Sequence, residues 1–156
     1  MSTAQRSNVD LNKLPSTKGK RFALVVSEWN SEITNNLKSG ARETLLSSGV
    51  KTKDIEVFNV PGSFELIHAC KVVSESLEFD AVISIGSIIR GETSHFDFVC
   101  HGVSSGIALL NANGKTPIIF CVLTDDNKQQ SINRSGGKYG NKGIEAAIAA
   151  IKMSSF

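Results

Sequence analysis

The segment Gly86-Ser-Ile-Ile-Arg-Gly-Glu-Thr-Ser-His-Phe-Asp97 gathers glycines, hydroxyls, carboxylates, a guanidinium and an imidazole into one short stretch, more polar chemistry than a connection between two elements requires. Imidazoles in general titrate near neutrality, which suits acid–base work. His95 is therefore the natural candidate to move a proton, with a purely structural histidine as the competing assignment. Arg90 could hold an anion or pair with a nearby carboxylate such as Asp97, and the pairing is the preferred reading. His68 lies within an apolar helical pattern and His101 on a further helical stretch, so both are assigned structural roles.

Three more segments carry groups of this kind. In Asn59-Val-Pro-Gly-Ser-Phe-Glu65, Pro61 and Gly62 set a tight turn leading into a helix, whose first N–H groups lack partners and can bind a polar ligand. Glu65 there either meets such a ligand or merely complements the helix dipole. Trp29, the single tryptophan, sits in the polar turn Ser27-Glu-Trp-Asn-Ser31, as a buried anchor or as an exposed ring on which a flat heterocycle could stack. The segment from Ile132 to Gly143 spaces Arg134, Lys138 and Lys142 four residues apart among glycines, with no acid between Arg134 and Lys142. Such a loop suits a phosphate or is a solvated basic turn, and it lacks the residue order of a P-loop.

The elements that must position these segments follow from hydrophobic period. Phe22 to Val26, Ile55 to Val60, Ala81 to Ile85 and Pro117 to Leu123 read as four strands. Ile33, Leu37, Ala41, Leu45 and Leu46 fall at helical spacing, with Gly49 as a C-terminal cap. Further helices are expected over about 63–77, 94–111, 127–135 and 140–153. Strand and helix alternate strictly, which implies an α/β fold: a three-layer, flavodoxin-like domain with a four-stranded parallel sheet covered by helices on both faces. In such sheets ligands bind beyond the carboxyl ends of the strands, where strand order reverses. That rule selects residues 27–31, 59–65, 86–95 and 123–127.

The chain of 156 residues suits one domain, and 40% hydrophobic against 21% charged residues exclude a disordered chain. Residues 1–20 are polar and aperiodic, an expected N-terminal arm, and the regular domain is expected over residues 21–156. A formal charge of +2 is too small for the basic stripe of a nucleic-acid binder, and no apolar stretch approaches the roughly 18 residues of a membrane span. The three cysteines, Cys70, Cys100 and Cys121, lie in apolar surroundings without metal-ligand spacing, which suggests buried thiols in a reducing compartment. With no apolar core of a signal peptide at the start, a cytoplasmic location is expected.

Three stretches in order, Val60-Pro-Gly-Ser-Phe-Glu-Leu66, Gly86 to Asp97, and Arg134-Ser-Gly-Gly-Lys-Tyr-Gly-Asn-Lys-Gly143, resemble the lumazine synthases, and the resemblance runs from about residue 20 to the end. It implies condensation of 5-amino-6-ribitylaminouracil with 3,4-dihydroxy-2-butanone 4-phosphate in riboflavin synthesis, without organic cofactor or metal. Under it, Trp29 stacks on the pyrimidine, and Ser63, Phe64 and Glu65 hold the uracil substrate and its ribityl chain. Ser87, Ile88 and Ile89 match a loop meeting the pyrimidine edge through backbone groups. Glu92 and Thr93 flank the phosphate substrate, His95 matches the proton-transfer residue, and Arg134 matches the phosphate-binding arginine. Phe120 and Arg134 match residues supplied by an adjacent subunit, and Lys142 matches a basic position near the site.

The same resemblance implies a homo-oligomer, a pentamer or a sixty-subunit icosahedral shell. The short linkage Gly136 to Gly140 resembles the shell-forming members, and riboflavin synthase is a candidate partner. Two departures stand out: Thr124-Asp125-Asp126-Asn127 where Thr-Thr-Glu-Asn is frequent, and Asn133 in place of a commonly acidic residue. Local salt bridges are expected to differ there. An FMN-binding electron carrier is the rival reading; it needs a hydroxyl-rich phosphate loop after the first strand, where Glu28 and Glu32 would repel the anion. An inactive shell protein is the other rival, disfavoured by the presence of His95, Arg134 and Trp29 together.

Overall fold

The computed structural model describes residues 10–156. Four parallel strands, β1 (Phe22–Ser27), β2 (Ile55–Val60), β3 (Ala81–Ile89) and β4 (Ile118–Asp125), form a sheet in the order β2-β1-β3-β4. The helices are α1 (Ser31–Ser47), α2 (Leu66–Glu75), α3 (His95–Asn113), α4 (Lys128–Arg134) and α5 (Lys142–Met153). Strand side chains alternate between faces. Phe22, Leu24 and Val26 therefore pack with Leu37 and Leu45 of α1 and Ala147 and Ile151 of α5, whereas Ala23 and Val25 pack with Cys70 of α2 and Val103 and Ile107 of α3. The result is the expected three-layer, flavodoxin-like α/β arrangement, with β1 and β3 buried on both faces. Strand order reverses between β1 and β3, which puts the switch point in the centre of the sheet. Among the described residues no helix is long and apolar enough to cross a membrane.

Helix α1 ends as its sequence directs. Gly49 takes a φ of 93°, the N–H of Gly49 donates to the Leu46 carbonyl, and that of Val50 donates to Leu45. That is a Schellman closure, completed by burial of Leu45 and Val50 in the same cluster. Helix α2 ends differently. The expected helix over 63–77 is shorter at both ends, and Leu77 leaves it with a φ of 56° while 66% exposed. A left-handed residue with a Cβ is strained, and an exposed leucine contributes little burial in return. Leu77→Gly is expected to raise stability by about 0.5–1 kcal/mol, a gain of roughly 2–4 °C in Tm by calorimetry; a lower Tm would show that the side chain contributes more than the strain costs.

Two other boundaries differ from expectation. Strand β3 runs past Ile85 to Ile89, because β4 continues beside it from Val122 through Asp125. Ser87, Ile88 and Ile89 therefore lie on a strand and not in a loop. The linkage after α4 is a small hairpin, β5 (Ser135–Gly137) with β6 (Gly140–Asn141), turning at Gly140 with a φ of 78°.

Residues 1–9 of the expected arm lie outside the described residues. Its remainder lies against the domain. Leu14 packs on the α1–α5 core, and the buried Thr17 hydroxyl donates to the Ser48 carbonyl at 2.7 Å. Lys20 Nζ reaches the Ser154 carbonyl and the Ser155 hydroxyl at the other end of the chain.

Candidate active site

A cavity of about 500 Å³ opens at the switch point. The β1–α1 turn supplies Trp29 and Asn30, the β2–α2 turn supplies Gly62 to Glu65, and Ser87, Ile88 and Ile89 form the end of β3. Gly91, Thr93 and His95, with Phe96 and Val99 of α3, complete the lining. Nine of the residues selected from sequence therefore come together here: Trp29, Ser63, Phe64, Glu65, Ser87, Ile88, Ile89, Thr93 and His95. Glu92 is exposed beside Thr93 without lining the cavity.

The walls are held by backbone. The N–H of Glu28 donates to the Val60 carbonyl at 2.8 Å and that of Trp29 to the Pro61 carbonyl at 3.2 Å, so the ends of β1 and β2 are tied together. The Trp29 ring is 73% exposed and so is not a buried anchor. A Cβ on Gly62 would stand 2.9 Å from Glu65 Oε2, the end of a flexible side chain, so the turn and Glu65 lie in close contact. Gly102 on α3 is likewise filled by the Phe64 ring, 2.8 Å from where its Cβ would stand. Two aromatic rings, from α1's turn and α2's turn, thus border one apolar cleft.

Register makes the cleft polar on one side. The β1–β3 ladder ends at Val26↔Ile85, whereas the β3–β4 ladder continues to Ile89↔Asp125. Successive peptide groups of a strand point to opposite sides. The N–H of Arg90 donates to the Asp125 carbonyl on the β4 side, so the peptide groups of Ser87 and Ile89 face the other way, over the end of β1. Asn30 Nδ2 donates to the Ser87 carbonyl at 2.9 Å from that side. What remains is a short run of main-chain donors and acceptors aimed into the cavity, the kind of edge that recognises a planar heterocycle with alternating N–H and C=O groups.

Asn30 was not singled out from sequence. It takes the left-handed conformation (φ 56°) that asparagine tolerates, and its side chain joins the Trp29 turn to β3. The signal available was an asparagine directly before a helix. Phe96 and Val99 were also missed; they belong to the first turns of α3, one and four residues past His95, and face the cleft by helical period. Glu65 precedes α2 as its N-cap residue without a side-chain capping hydrogen bond.

Phe120, Arg134 and Lys142 do not line the cavity. Phe120 is half-buried on β4 against the α2–α3 side of the core. The basic segment is not acid-free in space: Glu145, one turn into α5, supplies the missing carboxylate. Arg134 Nη2 meets Glu145 Oε1 at 2.8 Å, Arg134 Nη1 donates to the Tyr139 carbonyl at 2.7 Å, and Lys142 Nζ lies 3.4 Å from Glu145 Oε2. Burial alone would raise the Glu145 carboxyl, but hydrogen bonding from Arg134 and the Lys142 charge outweigh it and hold it below the usual range. The trio keeps a net positive charge on a preset guanidinium. Glu32 of α1, expected to repel an anion, is paired with Lys128 at 2.7 Å.

The thiols stand apart from this chemistry. Burial pushes Cys70 and Cys121 up to about 12, and Cys100, half-buried, is also raised by burial. Thiols so shifted are poor nucleophiles.

Comparison with known proteins agrees with the geometry. The family model for 6,7-dimethyl-8-ribityllumazine synthase matches residues 19–156. The chain is 56% identical to the 6,7-dimethyl-8-ribityllumazine synthase of Christiangramia forsetii over 95% of its own length and 89% of that protein's. It is 57% identical to that of Flavobacterium johnsoniae, over 95% and 78% of the two lengths. With that of Parabacteroides distasonis it shares 49% identity over 100% and 99%. A match over nearly the whole domain, on a fold whose switch-point cleft gathers the selected strand-end residues, means that the chain belongs to the 6,7-dimethyl-8-ribityllumazine synthase family.

Proposed function

We propose that the chain is a transferase-type enzyme of riboflavin biosynthesis, condensing 5-amino-6-ribitylaminouracil with 3,4-dihydroxy-2-butanone 4-phosphate and releasing phosphate and two waters. The observation that carries this reading is the cleft itself: exposed Trp29 and Phe64 rings bordering the main-chain edge of Ser87 to Ile89. The pyrimidine stacks on Trp29 and meets that edge, with Ser63 and Phe64 on its other side and Glu65 accepting from ribityl hydroxyls. The phosphorylated substrate lies toward Glu92 and Thr93, its phosphate on Arg134 with Lys142 nearby.

Imine formation, loss of phosphate and ring closure need proton transfer and a stabilised leaving group; the nucleophilic amine belongs to the substrate. His95, exposed at the start of α3 and lining the cleft, supplies the proton transfer. Holding two substrates together supplies much of the remaining acceleration.

Arg134 and Phe120 lie outside the cleft of their own chain, which supports a shared site completed by a second copy. Phe98 and Leu109, 74% and 65% exposed, stand three turns apart on one face of α3, an apolar surface suited to contact between copies. A pentamer, or a sixty-subunit shell of pentamers, in the cytoplasm follows from this reading, and light scattering distinguishes the two sizes. Riboflavin synthase is the partner that would consume the product.

The test is direct. Purified protein given both substrates should release inorganic phosphate as a lumazine chromophore appears; release no faster than the uncatalysed background rejects the reaction. His95→Ala should lower kcat by about 10- to 100-fold with measurable turnover remaining, and an unchanged kcat would remove His95 from proton transfer.

A further inference from the structure

The segment between β3 and α3 carries the groups assigned to the phosphorylated substrate, yet it has little of its own to hold it. Glu92, Thr93, Ser94 and His95 are all exposed, a Cβ on Gly91 would meet nothing within 4 Å, and Ser94 caps α3 without a side-chain hydrogen bond. One side chain spans the segment. Arg90, the first residue after β3, reaches Asp97 in the first turn of α3 with two hydrogen bonds, Nη2 to Oδ1 at 2.9 Å and Nη1 to Oδ2 at 3.2 Å. Its Nε donates to Asp126 Oδ1 at 3.0 Å, beyond the end of β4. Its guanidinium carbon sits 4.2 Å from the centre of the Phe96 ring, which lines the cleft.

Every nitrogen of the guanidinium is therefore committed, to carboxylates on two different pieces of chain, the start of α3 and the residue after β4. Asp97 and then Asp126, through their hydrogen bonds, push the Arg90 pKa further up, so its charge is permanent. These groups are exposed, with side-chain accessibilities of 40%, 58% and 68%. Ion pairs this open to water add little to global stability. The geometry they impose is another matter, because a fork gripping both oxygens of one carboxylate fixes distance and angle together.

We propose that Arg90 is a positioning residue: its guanidinium staples the Gly91–Phe96 segment shut across Asp97 and Asp126, fixing the Glu92–Thr93 backbone and the His95 imidazole for the phosphorylated substrate. This rests on the function proposed above, since it assigns the segment to that substrate. Arg90 acts through the loop and touches no reacting atom.

Arg90→Gln removes the charge and the fork while keeping a planar amide. Hydrogen exchange over residues 91–97 should quicken by at least about tenfold, and kcat/KM for the phosphorylated substrate should fall by roughly 10- to 100-fold. The pyrimidine KM should stay within about threefold and the Tm within a few degrees. Arg90→Lys, which restores charge without bidentate geometry, should recover only part of the loss. Wild-type exchange over 91–97 in Arg90→Gln overturns the proposal, and so does faster exchange with unchanged kcat/KM, or full recovery by lysine. If Arg90→Gln melts globally, Asp126→Ala, which removes the acceptor and so cuts one exposed arm of the staple, is judged by the same two readouts. Should the wild-type chain release no phosphate, the reaction falls by itself, and the exchange measurement alone still decides whether the staple exists.

Discussion

Arg134→Ala should raise the KM for the phosphorylated substrate by about two to four orders of magnitude while leaving the KM for the pyrimidine within about threefold, because on the proposed assignment it removes two charge-assisted hydrogen bonds to the phosphate of about 1.5–3 kcal/mol each. The guanidinium is set in place before any ligand arrives, with Nη1 on the Tyr139 carbonyl and Nη2 on Glu145. Its unused donor positions are thus pre-oriented, and little rotamer freedom is lost on binding. Arg134→Lys should fall between the two, since a point charge cannot reproduce the fork. Equal loss for both substrates would place Arg134 in general scaffolding. Glu145 offers an independent handle through pH. Its lowered pKa means the stabilisation from this pair is present above the ordinary carboxylate range and fades as pH falls through the depressed value.

The shared-site reading adds an assembly test. Chains carrying Arg134→Ala and chains carrying His95→Ala, co-expressed in equal amounts, should regain about a quarter of wild-type sites if each cleft takes its arginine from the next copy around a ring. No recovery, with mixed assembly shown by mass, would mean that each chain completes its own site.

Much of the cleft was legible because it depends on local pattern. The apolar runs at 22–26 and 55–60 became strands at those positions, and the strand-end rule led to Trp29, Glu65 and His95. The pairing of Arg90 with Asp97 was legible from charge and spacing; the second carboxylate, Asp126, was not, since it lies thirty-six positions away. The reach of β3 to Ile89 escaped for the same reason. A strand's length is set by its neighbours, and only the continued ladder with β4 makes Ser87 and Ile89 a peptide edge and not a loop. Glu145 was hidden by counting along the chain, where the stretch from Arg134 to Lys142 holds no acid; the first turn of α5 folds it back onto both cations. Asn30 depends on a left-handed turn whose use appears only when the Ser87 carbonyl is beside it.

Gly143→Ala should cost about 3–5 kcal/mol before any compensation, a severe loss for a domain whose whole stability is on the order of 5–15 kcal/mol. Helix α5 lies on α1 through small residues, Ala146, Ala147 and Ala150, which let the two axes approach. Gly143 lies at this contact: a Cβ there would overlap the Leu37 carbonyl, which is backbone and cannot rotate away, and would sit 2.9 Å from Asn141 Oδ1. Asn141 is itself committed, its Oδ1 accepting from the Gly143 N–H at 2.8 Å and its Nδ2 donating to the Asn36 carbonyl at 2.9 Å. Either α5 moves out or its N-terminal cap breaks. Alanine returns about 1 kcal/mol through helix propensity, so the net loss is about 3 kcal/mol, or roughly 10 °C in Tm. The displacement has a direction that function can read. Lys142 and Glu145 ride on α5, whereas Trp29, Phe64 and the β3 edge do not. In the fraction that stays folded, the KM for the phosphorylated substrate should therefore rise, while quenching of Trp29 fluorescence by the pyrimidine keeps its wild-type midpoint. A variant with the wild-type Tm would show that α1 and α5 separate without cost, and a shifted pyrimidine midpoint would show that the two halves of the site are one mechanical unit.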